Sequence, residues 1–421
     1  MGLVRRAVSL ATLPVGVGAR VASAAAKTAL GADRTGAFDH ATAASVEKVV
    51  ATLARTRGPA MKFGQILGLF SAAFGDDEKN LLAPLTRLYE QGDPVPFDTL
   101  TTLVDQLPAG VQVDPVAVAA ASLGQVHRAV WTDGSDVAIK IRYPEARKVV
   151  RSDMATLRSM VPLMSRVLPT IDVKALLAEH GARLAEELDY TFEAGWATRF
   201  AHAWTDYPIR IPTVRYASES LLVTEWLDGT PLSTVMAQGA PGDRDRAGDL
   251  LARFAFWSPH RVGAIHADPH PGNFRLTPDG ELGVMDFGSI GVGAGRFASL
   301  FAATLAEAAA DRYDLVREEW VIAGMLDPAV TGEQLAGLLE VDTRLYTEPQ
   351  FRFSRTWLSE RAGSFREPTV TLAGMTRLRF PPTYLLEHRA IMGTLALMAG
   401  LEATVPMREV LDEVRGTGTP V

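Results

Sequence analysis

The sequence predicts an α+β fold in which a small antiparallel β-sheet lobe precedes a larger helical lobe. Three patterns support this prediction: short β-type runs, a long helical pattern between them, and a mostly helical remainder. The β-type runs lie at 111–113, 126–132, 136–143, 209–214 and 221–226, and the helical pattern lies at 173–200. The helical remainder follows Asp228-Gly229-Thr230-Pro231 and is interrupted by one hairpin at 274–287, built around Pro278-Asp279-Gly280.

A helical extension is predicted ahead of the β-rich lobe. Its Ala-rich and Leu-rich spacing runs from about Asp39 to Leu100, and a Pro/Gly cluster at 92–96 closes it. We therefore divide the chain into a basic apolar N-terminal segment at 1–38, the helical extension at 39–105, the β-rich lobe at 106–230 and the helical lobe at 231–421.

The composition excludes several classes of protein. With 47% hydrophobic residues over 421 positions, the chain can bury a sizeable core and is not disordered. It contains no cysteine, which excludes a disulfide framework, thiolate catalysis and Cys-ligated zinc. The formal net charge of −7 gives no global basic field, so we expect no nucleic-acid partner.

The apolar runs are too short to span a bilayer. The longest charge-free stretches, such as 7–19 and 64–75, fall short of the roughly 18 to 20 residues that a spanning helix needs. The first 30 residues carry Arg5, Arg6, Arg20 and Lys27 and no acid. Two interpretations of this segment stay open: a secretory signal, or a basic surface helix that contacts the fold or an anionic membrane. We expect a cytoplasmic protein, with peripheral contact at the inner face of the membrane left open.

One loop and the hairpin after it carry residues suited to phosphoryl transfer. The segment His266-Ala267-Asp268-Pro269-His270-Pro271-Gly272-Asn273 puts Asp268 five residues before Asn273, and Asp286-Phe287-Gly288 follows across the predicted hairpin. Asn273 and Asp286 can hold Mg²⁺ between them, while Asp268 faces an incoming hydroxyl or water. This order of residues predicts a protein-kinase-like two-lobed fold.

A lysine of the β-rich lobe is the predicted phosphate contact. Val137-Ala138-Ile139-Lys140 follows an Asp133-Gly134 turn. The strand period of two places Ala138 and Lys140 on one face, so Ala138 can cover an adenine while the Lys140 ammonium reaches the phosphates.

Such a lysine needs an acid to orient it. The helical pattern at 173–200 offers Glu186, Glu187, Asp189 and Glu193, and helical spacing groups all but Glu187 on one face. We assign Glu193 to Lys140.

The predicted nucleotide-covering loop is unusual because it retains one glycine. It includes Ala119, Ala120, Ala121, Ser122 and Gly124, and most of it lacks the positive φ angles that let backbone N–H groups wrap a triphosphate. We expect the nucleotide to bind in a different pose. An Ala-rich helix start stays open as the alternative. Glu225 and Leu227 complete the predicted nucleotide-binding residues.

The motifs together resemble the UbiB/AarF/ADCK family of atypical protein-kinase-like proteins. The decisive one is Lys62-Phe63-Gly64-Gln65, similar to the family's Lys-x-Gly-Gln motif. The Ala-rich loop, the Glu-Leu-Asp element at 187–189, the His-x-Asp-Pro-His-Pro-Gly-Asn loop and a C-terminal helix with Arg389 are similar too.

This resemblance implies both a cofactor and a substrate class. It implies that the extension folds over the site, with Lys62 and Gln65 near the phosphates and Lys62 facing Glu187 and Asp189. It further implies use of ATP with Mg²⁺, either for hydrolysis or to phosphorylate a small or lipid-like acceptor, linked to isoprenoid quinone biosynthesis at a membrane.

Several features depart from a protein kinase that acts on protein. Ala267 replaces the Arg that would bind activation-loop phosphate, and no Ala-Pro-Glu element follows Asp286. Segment 289–295 passes quickly into a helical pattern at 296–310, so we expect no peptide-docking platform. We also expect no hydrophobic C-terminal anchor, unlike in some bacterial relatives.

Two other functions stay open on the residues alone. A small-molecule phosphotransferase of the aminoglycoside or choline kinase type shares the His-x-Asp loop, although it needs neither the Lys-x-Gly-Gln motif nor the Ala-rich loop. A nucleotide-sensing scaffold of a biosynthetic complex would keep the same residues without catalysis. The sequence does not predict an oligomeric state.

Overall fold

The computed structural model describes residues 94–121, 123–167, 173–293, 295–364 and 381–416. Nearly all of the predicted helical extension, with Lys62 and Gln65, therefore lies outside the described residues, as does Ser122 of the predicted loop. At the end of the extension a 3₁₀ turn, Phe97–Thr99, leads into the short helix α1, Thr101–Val104.

The described residues form short strands and longer helices along the chain. The strands are β1 Gln112–Ala120, β2 Gly124–Val130, β3 Asp136–Arg142, β4 Ile209–Arg210, β5 Val214–Ala217, β6 Leu221–Glu225, β7 Thr230–Pro231, β8 Ala264–His266, β9 Phe274–Leu276, β10 Leu282–Val284, β11 Ile290–Val292, β12 Phe351–Arg352 and β13 Thr404–Val405. The helices after α1 are α2 Ala146–Val167, α3 Val173–Glu187, α4 Tyr190–Ala203, α5 Leu232–Gln238, α6 Pro241–Val262, α7 Arg296–Ala308, α8 Tyr313–Ile322, α9 Gly332–Thr347, α10 Arg355–Ser364, α11 Pro382–Leu401 and α12 Met407–Gly416.

The chain forms two compact units. The first runs to Tyr190 and includes Tyr216–Val223, and the second comprises Thr191–Arg215 and the residues from Thr224 onward. The domain boundaries near residues 38, 105 and 230 stay predictions. Among the described residues, no helix is both long enough and apolar enough to cross a bilayer.

The first unit is built on a five-stranded sheet in the order β1-β2-β3-β6-β5. The predicted alternation along β3 is confirmed, because Val137, Ile139 and Ile141 are fully buried while Ala138 and Lys140 lie on the opposite, half-buried face. The prediction of a short strand at 111–113 is wrong, since β1 continues to Ala120 by pairing antiparallel with β2. The same pairing rules out an Ala-rich helix start.

A buried amide joins the start of the described chain to this sheet. The Gln125 side chain accepts from Val95 N at 2.8 Å and donates to Val95 O at 3.2 Å. Its nitrogen also lies 2.9 Å from His127 Nε2, and His127 Nδ1 donates to the Asp114 carbonyl at 2.7 Å. Gln125 and His127 are almost completely buried. Since these buried polar groups bond one another, the network avoids the cost of unpaired polar atoms.

The prediction of a single helix at 173–200 is wrong, because the structure has two helices there, α3 and α4. The break lies at Leu188 and Asp189, where the Arg142 guanidinium bonds the Leu188 carbonyl and, at 2.9 Å, the Glu219 carbonyl. By bonding the Leu188 carbonyl, this cation satisfies a group that a continuous helix would have bonded internally. The predicted shared face of Glu186, Asp189 and Glu193 therefore does not exist.

The second unit packs its helices around an aromatic core. Phe200, Trp204 and Phe254 are buried and stack with ring centroids 5.5 to 5.8 Å apart. Its small sheets are β4-β10-β9-β7, β11-β8 and β12-β13. The predicted hairpin is confirmed: β9 pairs antiparallel with β10, and Gly280 takes a positive φ of 75° in the turn. Segment 289–295 leads directly into α7, as predicted.

A buried carboxylate caps helix α7. Glu387 of α11 is 4% exposed and accepts from Gly295 N at 2.9 Å, Phe297 N at 3.2 Å and Ala298 N at 2.9 Å. These amides belong to the first turn of α7, whose N–H groups have no partner within the helix. Burial raises the pKa of Glu387, and the three backbone hydrogen bonds oppose that rise. The carboxylate replaces a local N-cap side chain with one from a distant helix.

We expect Glu387→Gln to lower the free energy of unfolding by about 1–3 kcal/mol, because the new amide group turns a donor toward backbone donors. Chemical denaturation measures the change. Glu318→Gln, at an exposed position of α8, serves as the control and should stay within about 0.5 kcal/mol of the wild type. A Glu387→Gln protein as stable as the wild type would contradict the capping role.

Candidate active site

The predicted catalytic loop connects β8 to β9 in the second unit. It contains a 3₁₀ turn, Pro271–Asn273, that is stabilised by His270, whose Nδ1 accepts from Gly272 N at 3.1 Å. The Asn273 amide nitrogen donates to the Asp268 carbonyl at 3.0 Å and to Asp268 Oδ2 at 3.2 Å. The five-residue spacing thus closes the loop on itself and fixes the orientation of the Asp268 carboxylate.

Asp286 has a backbone conformation that residues other than glycine rarely adopt. Its φ is 60°, in the left-handed region where Asp is better tolerated than most residues. Its carbonyl accepts from His266 Nε2 at 2.8 Å, and its Oδ1 accepts from Gly288 N at 3.1 Å. Phe287 beside it is buried against Phe200, with centroids 5.1 Å apart. Strain of this kind occurs at functional sites, where the surrounding structure holds it.

The hairpin register places the amide and the carboxylate at the same end of two paired strands. Phe274 pairs with Val284, and Met285 N donates to the Asn273 carbonyl at 2.9 Å. Asn273 directly precedes Phe274 in the chain, and Asp286 directly follows Met285. The structure therefore brings together Asp268, Asn273 and Asp286 in the second unit, as the sequence predicts.

Asn273 and Asp286 fit the chemistry of a Mg²⁺ site. The amide oxygen and the carboxylate are hard oxygen ligands, and Mg²⁺ bound by proteins usually completes its shell with water and phosphate oxygens. Within the described ranges, no group of three or more His, Cys, Asp or Glu side chains could hold a metal. One carboxylate with one amide would therefore hold the ion only together with a phosphate ligand, whose charge the ion would neutralise.

Glu193 lies next to the Asp286-Phe287-Gly288 turn. It is 4% exposed, and a Cβ placed on Gly288 would lie 3.5 Å from Glu193 Oε2. Lys140 lies on β3 of the first unit and Glu193 in the second, so their pairing stays a prediction. Within the first unit, the Lys140 ammonium lies over the Tyr190 ring, 5.2 Å from its centroid.

The Ala-rich loop is a tight connection between two paired strands. Ala119 pairs with Val126 and Ala120 with Gln125, and Ala121 N donates to the Gly124 carbonyl at 2.8 Å. Gly124 is required by close packing. A Cβ there would lie 2.4 Å from the Ile141 carbonyl oxygen and 2.6 Å from the Tyr190 hydroxyl. The single glycine therefore serves the close approach of two strands and a side chain.

The other predicted site residues are placed as follows. Glu187 ends α3, and Asp189 lies in the break before α4, both in the first unit. The Glu225 carboxylate accepts from Arg210 Nη2 at 2.6 Å, so its side chain is held by the protein. Leu227 packs on Gly283, where a Cβ would lie 2.5 Å from Leu227 Cδ2. Their roles in nucleotide binding stay predictions.

Helix α11 contacts the catalytic loop at two points. Arg389 Nη2 lies 3.5 Å from Asp268 Oδ1, and a Cβ on Gly393 would lie 2.3 Å from Pro269 Cγ. The family resemblance included the helix with Arg389 but implied no role for it. Nothing in the sequence indicated that Gly393 contacts the catalytic loop. His266, which holds the Asp286 carbonyl, stood two residues before Asp268 and could have been named from that position.

The chain matches one family model and many known proteins. Residues 111–319 match the model described as "ABC1 atypical kinase-like domain". The structure is similar to that of Rv3197 from Mycobacterium tuberculosis, solved as a complex with erythromycin. That likeness has a TM-score of 0.68 and 31% identity, and it covers 86% of this chain and 94% of that one.

Several curated relatives have names that describe them as kinases, including the following two. One is the mitochondrial atypical kinase COQ8B of Rattus norvegicus, 26% identical over 97% of this chain and 80% of that protein. The other is the chloroplastic protein ACTIVITY OF BC1 COMPLEX KINASE 3 of Arabidopsis thaliana, 35% identical over 42% of this chain and 26% of that protein. The chain spans only 46% and 61% of the length of two further relatives, both from Synechocystis.

We expect Gly393→Ala to lower any turnover by about 10- to 100-fold, because the added methyl group displaces Pro269 and with it Asp268. Steady-state kinetics together with thermal unfolding measure this. Gly337→Ala in α9 is the matched control, since a Cβ there meets nothing within 4 Å; it should raise stability by about 0.5–1 kcal/mol. Equal turnover for Gly393→Ala and wild type would contradict the packing argument.

Stability is also expected to fall in mild acid. Burial lowers the pKa of His388 to about 4, so the unfolded chain binds a proton at higher pH than the folded chain does. The resulting stabilisation is present above about pH 6.5 and is lost as the pH falls toward 4. His388→Leu should flatten this part of a denaturation-against-pH curve, whereas His202→Leu, at an exposed position, should not. Identical curves for all three proteins would contradict the prediction.

Proposed function

Since the chain belongs to the family of ABC1 atypical kinase-like proteins, we propose that it is a Mg²⁺-dependent ATPase or phosphotransferase of the UbiB type. It acts on a small or lipid-like acceptor, or hydrolyses ATP, in support of isoprenoid quinone or related lipid metabolism. The strongest support is the hydrogen bond between the Asn273 and Asp268 side chains, together with the left-handed backbone conformation of Asp286. Phosphoryl transfer relies mainly on positioning and charge, which such a rigid arrangement supplies.

Each residue has a specific role in this proposal. Asp268 orients the hydroxyl of the acceptor, or a water, and accepts its proton. Asn273 and Asp286 hold Mg²⁺, and Lys140 contacts the phosphates. Glu193 orients Lys140.

The segment after Asp286 supports a non-peptide acceptor in this proposal. The chain between Asp286 and the start of α7 at Arg296 is short, and part of it is the strand β11, which pairs with β8. Its end is fixed by the Glu387 cap. These contacts favour a small or lipid-like acceptor over a protein.

The test is ADP release from Mg-ATP by the full chain, with and without anionic liposomes and a phenolic quinone-precursor analogue. Asp268→Asn should lose about 100-fold or more in turnover and still bind nucleotide, whereas Asp286→Asn should lose Mg²⁺-dependent binding as well. Asp279→Asn, at the exposed turn of the same hairpin, is the control and should match the wild type.

Absence of wild-type turnover under every condition would contradict the proposed enzyme. If nucleotide binding nevertheless persisted, a nucleotide-sensing scaffold would explain the geometry of the loop better than an enzyme does.

A further inference from the structure

Tyr190 links two parts of the first unit that the proposed function uses separately. It is 2% exposed and is the first residue of α4. Its ring faces the Lys140 ammonium at 5.2 Å from the centroid. Its hydroxyl lies against the Gly124 backbone, where a Cβ would come within 2.6 Å. One side chain thus contacts both the predicted phosphate-binding lysine and Gly124 of the nucleotide-covering loop.

The position of Tyr190 is itself fixed by the sheet. Tyr190 N donates to the Glu219 carbonyl at 3.3 Å, and the Arg142 guanidinium bonds the same carbonyl at 2.9 Å. Arg142 also bonds the carbonyl of Leu188, the first residue after α3 and two residues before Tyr190. Because the helix is interrupted between α3 and α4, the Tyr190 side chain points toward β2 and β3.

The ring restricts the lysine. Lys has four rotatable side-chain bonds, and ordering it costs conformational entropy. An aromatic face near a desolvated ammonium attracts the charge and limits where the ammonium lies. Lys140 pairs with Val126 across β2–β3, two residues beyond Gly124, so the same ring that holds the ammonium also supports the strand at the loop.

From these contacts we infer that Tyr190 is a positioning residue, which holds Lys140 and the backbone at Gly124 in one arrangement for nucleotide phosphates. The part of this inference that concerns nucleotide rests on the proposed function. The packing of Tyr190 against Lys140 and Gly124 rests on the contacts alone. The ring and the hydroxyl have separable tasks: the ring acts on Lys140, and the hydroxyl acts on the backbone at Gly124.

Two substitutions separate the tasks. Tyr190→Phe keeps the ring and removes the hydroxyl, and Tyr190→Leu removes the ring. Tyr216→Leu is the matched control, because it removes a half-buried ring that packs against the apolar core of the same unit. Circular dichroism and thermal unfolding identify variants that fail to fold, and Tyr190→Phe keeps the test decisive if Tyr190→Leu is one of them.

The first measurement is the KM for ATP, the kcat and the binding of a non-hydrolysable analogue with Mg²⁺. Tyr190→Leu should raise the KM for ATP by roughly 3- to 30-fold, the range expected for loss of a partly desolvated cation–π contact. Tyr190→Phe should keep the KM within about twofold, because the ring remains. An unchanged or lower KM in Tyr190→Leu, or an equal rise in Tyr216→Leu, would overturn the inference.

The second measurement needs no nucleotide. Hydrogen exchange of the backbone amides at 119–126 should be faster in Tyr190→Leu and intermediate in Tyr190→Phe, while Tyr216→Leu should match the wild type there. Unchanged exchange in both Tyr190 variants would overturn the inference. A wild type that binds no nucleotide would instead contradict the proposed function, so the two failures can be told apart.

Discussion

The left-handed backbone of Asp286 constrains the arrangement of the whole second-unit site. At a φ of 60° the chain reverses at the end of β10, and the carboxylate is turned so that its Oδ1 accepts from Gly288 N. Such a conformation persists only where neighbours over-determine it. Here His266 bonds the Asp286 carbonyl and Phe287 is buried in the aromatic core. The orientation of the Asp286 carboxylate is therefore determined by packing in the core as well as by hydrogen bonds within its own loop.

Helix α11 carries the second set of constraints. Within two turns it supplies a buried cap for α7 through Glu387, a cation near Asp268 through Arg389, and a flat surface for Pro269 at Gly393. The catalytic loop and the segment after Asp286 thus rest on the same helix. Because protein interiors are close-packed, a small change in this helix would reach both.

Local patterns predicted the parts of the fold that depend on local physics. Alternation placed Lys140 on its strand face, and the turn residues around Gly280 located the hairpin. The break before Tyr190 could not be predicted, since it depends on Arg142, which lies 46 residues before the Leu188 carbonyl it bonds. The cap of α7 comes from a residue about 90 positions away. At the site, the spacing between Asp268 and Asn273 could be recognised in the sequence. The residues of α11 that contact the catalytic loop, Arg389 and Gly393, could not be assigned this role from the sequence.

In the proposed function, Asn273 and Asp286 bind Mg²⁺ for a nucleotide whose acceptor is aligned by Asp268. A crystal structure of the full chain with Mg²⁺ and a non-hydrolysable ATP analogue tests it most directly. The account predicts that the amide oxygen of Asn273 and the carboxylate of Asp286 lie about 2.0–2.1 Å from the ion, with phosphate oxygens completing its shell. A nucleotide bound with Mg²⁺ coordinated by neither residue would contradict it.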